Sequence, residues 1–240
     1  MPSELKVVLP GDLIPAADEN DNSQMEVDDE APVVRLGPGL TQVQEDIVSM
    51  KAGVLKHQDT GNKWWLESNQ RRYVAATGES VIGIVVARLA EYYRVDIGAA
   101  QSAILPILAF EGATKKNKPN LIPGTLVYAR VTLANKDMEA ELQCFNPSSG
   151  KADGYGELKG GFVVKCSLGL CRRLLNPETP ILSFLGEHFP FETAVGMNGR
   201  IWVNSEGPKY TILLANAIKN SEYLSEAQCK AMVDSLVDKL

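Results

Sequence analysis

Side chains able to do covalent or metal chemistry are few in this sequence. Histidine occurs twice, as His57 and His188, and cysteine four times, as Cys144, Cys166, Cys171 and Cys229. A catalytic nucleophile needs a base within hydrogen-bond reach. One histidine lies in a turn-rich β region and the other in Glu187-His188-Phe189-Pro190, so no triad is in prospect. The nucleophile-elbow pattern G-x-S-x-G does not occur either. The cysteines are spaced by 22, 5 and 58 residues, without a C-x-x-C pair. They read as reduced, mostly buried thiols of an intracellular protein, and the short ligand pairs of a zinc site are missing. Metal-assisted RNA hydrolysis would draw several acids onto a metal pair. The acids here fall on outward strand faces or in one acidic stretch, so no catalytic residue, metal or cofactor is expected.

Binding chemistry is better represented. Lys115, Lys116 and Lys118, with Asn117, fall between Ala113 and Pro119 in a stretch with no acid. Tyr92, Arg94 and Tyr128 alternate with apolar neighbours and are expected on the outside of the same β unit. A basic loop beside outward aromatic and basic groups suits single-stranded nucleic acid, through phosphate neutralisation and base stacking. The expected RNA-binding residues are therefore Lys115, Lys116, Lys118, Arg94, Tyr92 and Tyr128.

The formal charge of −6 does not oppose this reading. Residues 16–31 hold seven acids and no Lys or Arg, and without them 24 bases face 23 acids. The remainder is balanced, so nucleic-acid contact must be a local patch and not a polybasic surface. The acidic stretch itself, poor in apolar groups, is expected to be a disordered loop.

The elements that must position these residues follow from periodicity. Residues 5–15 read as a short strand closed by the Pro10-Gly11-Asp12 turn. Val33 to Leu36, Ile47 to Met50, Gly53 to Lys56 and Trp64-Trp65-Leu66, parted by Gly37-Pro38-Gly39 and Asp59-Thr60-Gly61-Asn62, make a small antiparallel β unit. From Tyr73 onward the period is two. Tyr93, Val95 and Ile97 oppose Tyr92, Arg94 and Asp96; Val127, Ala129 and Val131 oppose Tyr128, Arg130 and Thr132. With Val81 to Val86, Ala103 to Phe110 and Met138 to Cys144 this gives five strands, the number in an OB barrel.

After Gly150 the period becomes helical around Leu170, Cys171, Leu174 and Leu175, and Asn176-Pro177 ends that helix. Glu192 to Val195 and Arg200 to Val203 form a hairpin through Gly196-Met197-Asn198-Gly199. Two closing helices follow, the second opened by a Ser225/Gln228 capping box. Gly154 to Gly160 misses the G-x-G-x-x-G phosphate motif by one position and is expected to be a linker. The fold class is thus multidomain β and α+β: a small β domain over 1–71, an OB barrel over 72–150 and an α+β domain over 151–240, which the resemblance described next implies to be of KH type.

Several of these segments resemble one family. Pro10-Gly11-Asp12, Leu36-Gly37-Pro38-Gly39, the Lys115–Pro119 loop, Val127-Tyr128-Ala129-Arg130-Val131 and the run from Gly196 to Val203 are similar to the RNA-binding cap subunit of the eukaryotic RNA exosome, the ribosomal RNA-processing protein 40 or exosome component 3 family. The likeness spans nearly the whole chain. It implies an N-terminal β domain, a barrel of the ribosomal-protein S-one type and a KH-type domain. It further implies a non-catalytic cap on a ring of RNase-PH-like subunits, alongside other cap subunits. That assembly, of nucleus, nucleolus and cytoplasm, guides single-stranded RNA to a separate 3′–5′ exoribonuclease. Neither DNA nor a membrane is an expected partner.

One family feature does not carry over. A KH domain clamps RNA with a GXXG loop between two helices, whereas Gly196 to Gly199 lies between two strands. Gly196, Asn198 and Gly199 are therefore expected to form a structural turn packed against the barrel. The competing readings are a free-standing OB/KH RNA-binding factor, which would call for a more basic surface, and an enzyme, which the sparse histidines oppose.

Overall fold

The computed structural model describes residues 6–14, 34–44, 46–58, 62–114, 116–135, 137–177 and 179–237. The acidic stretch at 16–31, Lys115 and the 59–61 part of the expected turn lie outside them. The chain divides into two compact units, residues 1–69 and 70–240.

Among its described residues the first unit contains seven short strands: β1 (Val7–Val8), β2 (Leu13–Ile14), β3 (Arg35–Leu36), β4 (Leu40–Val43), β5 (Asp46–Ser49), β6 (Gly53–Gln58) and β7 (Lys63–Glu67). They form two small sheets, ordered β1-β6-β7-β3 and β2-β5-β4. Val8, Ile14, Leu40, Ile47 and Leu66 are buried between them. At the β6–β7 hairpin His57 stacks on Trp64 with ring centroids 4.0 Å apart. This histidine is committed to packing.

The second unit opens with a barrel: β8 (Ser80–Arg88), β9 (Tyr92–Asp96), β10 (Ala103–Pro106), β11 (Leu126–Leu133) and β12 (Glu141–Gln143). Strand β12 pairs in parallel with β10 and antiparallel with the second half of β11, which closes the sheet into a barrel and leaves the first half of β11 as an edge. Period two explains the filling. Tyr93, Val95, Ile97, Val127 and Ala129 are all fully buried inside, and the intervening residues turn outward. The glycine-rich segment expected as a linker contributes a further strand, β13 (Gly156–Leu158), paired with β11 from Leu126 to Tyr128. The barrel sheet therefore runs beyond residue 150. Three pairs on an edge offered by β11 bring too few side chains to show in the sequence pattern.

The rest of the unit is a three-stranded antiparallel sheet, ordered β14 (Phe162–Lys165), β16 (Arg200–Ser205), β15 (Phe191–Gly196), with four α-helices among the described residues. These are α1 (Leu168–Leu175), α2 (Ile181–His188), α3 (Pro208–Asn220) and α4 (Glu226–Val237). Ser167 caps α1 by accepting from the Leu170 N–H at 3.0 Å. At the start of α4 the Ser225 N–H donates to Gln228 Oε1 and the Gln228 N–H to Ser225 Oγ, at 3.0 and 3.4 Å, a capping box in both directions. Helix α2 has no counterpart in the periodicity reading. It is eight residues long, contains Gly186, lies between Pro180 and Pro190, and buries only Ile181 and Leu185 on its core side.

Candidate nucleic-acid interface and the joint that frames it

The basic segment is displayed by a built loop. The Thr114 N–H donates to the Asn117 carbonyl and the Asn117 N–H to Thr114 Oγ1, both at 3.0 Å, making a tight turn. Tyr93 anchors the far side: its phenol donates to the Pro119 carbonyl and accepts from the Leu121 N–H at 3.4 Å. Arg88 Nη1 donates to Asn120 Oδ1, which brings a further cation to the segment. Lys116 and Lys118 project into solvent from this frame. Tyr92, half-buried, begins β9 at the barrel end that carries the segment. Arg88 was not singled out by sequence; its signal was its position closing the long apolar run of β8.

Two expected residues fall elsewhere. Arg94 is exposed but lies 3.9 Å from Glu139, so part of its charge is met within the chain. Tyr128 is not an open stacking platform. Its phenol donates to the Val195 carbonyl at 3.3 Å, and its ring stacks on Tyr155 at 5.0 Å. The reason is that the C-terminal sheet covers this face of the barrel. Ile82, Leu126, Tyr128 and Leu158 from the barrel side meet Val163, Ala194 and Trp202 in one apolar cluster.

The turn at 196–199 occupies the rim of that contact. Asn198 Nδ2 donates to the carbonyls of Ile82 and Ile97, each at 2.8 Å, and Oδ1 accepts from the Ile82 N–H at 3.2 Å. Two carbonyls and one N–H as partners admit only one orientation of the amide. The Met197 N–H donates to the Ser80 carbonyl at 2.8 Å. Arg200 Nη1 donates to the carbonyls of Ile82 and Asp96 at 3.2 and 2.7 Å, and Nη2 pairs with Asp96 Oδ2 at 2.6 Å. Gly196 admits this approach because a Cβ there would stand 2.8 Å from the Ile82 nitrogen. Gly199 holds φ +75°, a left-handed conformation that costs glycine little. The turn is thus consumed by the barrel and has no open face with which to clamp a phosphate backbone.

Asp96 has a pH signature. Partial burial would raise its carboxyl, but the hydrogen bond from Arg200, the Gly98 N–H and the Arg200 charge prevail and hold it below its ordinary 3.8. A carboxylate with a lowered folded value stabilises at pH above its unfolded value and loses that contribution as pH falls through the folded one. Between about pH 5 and pH 2, urea unfolding of Asp96→Asn is expected to fall less steeply than that of the parent. Parallel curves would show that Asp96 contributes nothing to the acid limb.

Among the described residues no group of three or more His, Cys, Asp or Glu is arranged to hold a metal ion. No described helix is long and apolar enough to cross a membrane. A closed barrel of this topology joined to a KH-type sheet defines an RNA-binding class of architecture.

Family models agree segment by segment. Residues 34–72 match the exosome complex exonuclease Rrp40 N-terminal domain, 73–156 the exosome complex component RRP40 S1 domain, and 161–209 a KH domain. The chain belongs to the RRP40 family of exosome complex components. It is 50% identical over 212 residues to exosome complex component rrp40 of Schizosaccharomyces pombe, covering 86% of this chain and 88% of that protein. It is 44% identical over 234 residues to exosome complex component RRP40 of Drosophila melanogaster, covering 98% and 97%. A solved structure provisionally described as an exosome complex RNA-binding protein shares the fold. Its TM-score is 0.57 at 21% identity, over 69% of this chain and 97% of the other.

Proposed function

We propose that this chain is a non-catalytic RNA-binding cap subunit of the RNA exosome, and that it takes single-stranded RNA along the barrel end that carries Lys116, Lys118 and Arg88. The observation that carries the route is the occupied turn. With Asn198 and Arg200 spent on the barrel, the usual KH grip is unavailable, and the exposed lysine segment is the better electrostatic landing point. The family's composite nature supports partners of two kinds, RNA and other exosome subunits, including RNase-PH-like ring subunits and further cap proteins. A role in ribosomal RNA processing, and residence in nucleus, nucleolus and cytoplasm, fit such an assembly and belong to the same proposal.

The test is a reconstituted particle bearing Lys115→Ala, Lys116→Ala and Lys118→Ala together. Each phosphate contact on a single strand contributes a salt slope of roughly 0.7. Loss of all three should flatten the slope by about 2 and weaken binding by up to about a hundredfold near 0.1 M salt. Stability should stay within about 0.5 kcal/mol, as for most exposed loop changes. Unchanged slope and affinity in a folded particle would move the RNA path off this loop. The purified chain alone, given labelled single-stranded RNA and magnesium, should leave it intact. Cleavage that is abolished by one acid substitution in this chain would overturn the non-catalytic assignment.

A further inference from the structure

Two of the four cysteines meet. Cys166 follows β14 and Cys171 lies in the first turns of α1, and their sulfurs are 3.3 Å apart. The other two are isolated: Cys144 is sealed in the barrel core and Cys229 in the helical core. The pair stands directly behind the joint, because the Cys166 N–H donates to the Gly199 carbonyl at 2.9 Å. Cys166 is half-buried and Cys171 fully buried, so a small solute reaches the pair from the Cys166 side.

We propose that Cys166 and Cys171 form a reversible thiol–disulfide modification site at the root of the turn that fastens the barrel. A disulfide bond is about 2.05 Å long, so the sulfurs must close by little more than an ångström. The oxidant class is a hydroperoxide, with hydrogen peroxide as the probe. Cys171 first releases its proton to solvent; the Cys166 proton then crosses to the Cys171 thiolate, and the Cys166 thiolate attacks a peroxide oxygen. The O–O bond breaks, the departing hydroxide is protonated to water, and Cys166 becomes a sulfenic acid. The Cys171 sulfur then attacks the Cys166 sulfur; the S–O bond breaks and the second water leaves with the Cys171 proton. Two thiols lose two electrons in all, and one peroxide becomes two waters. The shared hydrogen bond sets the order: the Cys166 S–H and the Gly199 amide hold the Cys171 thiol below its ordinary range against burial, while that same bond and burial push the Cys166 thiol up, so the negative charge forms on Cys171 and reaches Cys166 as the proton crosses between the sulfurs. Burial alone pushes the Cys144 thiol up to about 12, which leaves it inert.

Sequence makes the test direct. Trypsin cuts after Lys165 and Arg172, so both cysteines leave in one peptide. The folded full-length chain is treated with hydrogen peroxide, quenched, alkylated and digested. The expected result is loss of both alkyl labels from that peptide, with a mass lighter by two hydrogens, and return of both labels after dithiothreitol. Labels on Cys144 and Cys229 should persist. In Cys171→Ser, checked for folding by circular dichroism, Cys166 should instead gain oxygen. Oxygen added to Cys166 in the parent without linkage, or retention of both labels while Cys144 or Cys229 reacts, would overturn the proposal.

Discussion

Replacing Asn198 by alanine lowers the stability of the 70–240 unit by about 3 kcal/mol, because buried unsatisfied groups cost roughly 1–3 kcal/mol each and solvent relieves only some of them. The substitution strands the carbonyl of Ile97 and the N–H of Ile82 and leaves the Ile82 carbonyl only the 3.2 Å bond from Arg200, all in a region the turn seals from water. For a unit of this size the thermal midpoint should drop by about 6–12 °C. Asn198→Asp separates hydrogen bonding from shape. The carboxylate keeps the acceptor for the Ile82 N–H but faces two carbonyls with no proton to give. It should cost at least as much as alanine at neutral pH, and less at acid pH, where the protonated acid donates again. Calorimetry on the three proteins checks this. An Asn198→Asp midpoint equal to the parent's at neutral pH would mean that the amide donors contribute nothing.

Gly196→Ala should cost a similar amount by a different route. Its Cβ would lie 2.4 Å from Asn198 Oδ1 and 2.8 Å from the Ile82 backbone nitrogen. Neither is the free end of a flexible chain: Asn198 is held by its bonds, and Ile82 belongs to the central strand of the barrel sheet. The turn must retreat, and the Asn198 and Met197 bonds lengthen with it. Overpacking of this kind costs typically 1–3 kcal/mol, and the lost hydrogen bonds bring the total to about 3–4 kcal/mol. The two substitutions share one contact, so they should not add. In an Asn198→Ala background the alanine at 196 loses its closest clash and should cost visibly less. Full additivity in that double-mutant cycle would show that the clash with Asn198 is not what makes glycine necessary.

Much of this architecture was written in local pattern. Alternation marked the barrel interior at Tyr93, Val95, Ile97, Val127 and Ala129, because a closed barrel has one dry face and one wetter face. The helical period, the Ser225/Gln228 box and the Gly196–Gly199 turn marked the C-terminal unit for the same kind of reason: each is decided by residues a few positions apart. What escaped was decided by distant partners. Tyr128 alternates like an exposed residue, yet the chain returns some 67 positions later to cover it. One clue was present, since Val81 to Val86 is a continuous apolar run, and a strand wet on one face would alternate. Ile82 is fully buried under the C-terminal sheet, which accounts for the run. Arg200 offered a second clue, as a cation opening the apolar run Ile201-Trp202-Val203. Its meaning depended on Asp96, more than a hundred residues earlier, and no local rule connects them. For the proposed RNA-facing residues, sequence located the lysine segment, but Arg88 joins it only through a side-chain bond to Asn120 that spacing does not foretell.

The joint has a one-sided grammar. From the C-terminal side it is spelled in side chains, the amide of Asn198 and the guanidinium of Arg200. On the barrel it reads chiefly main chain, the carbonyls of Ile82, Ile97 and Asp96. A carbonyl is the same group whatever residue bears it, so substitutions at 97 could drift among core-compatible types without erasing the message. The turn has no such latitude, since its letters are the side chains themselves. Mutational tolerance should therefore be lopsided across a single contact, permissive on the face that is read and strict on the turn that reads it. The same asymmetry makes the Gly196–Arg200 segment a portable fastening: grafted onto another hairpin, it would need from a host barrel two stretches of backbone at the same spacing and one carboxylate in the place of Asp96.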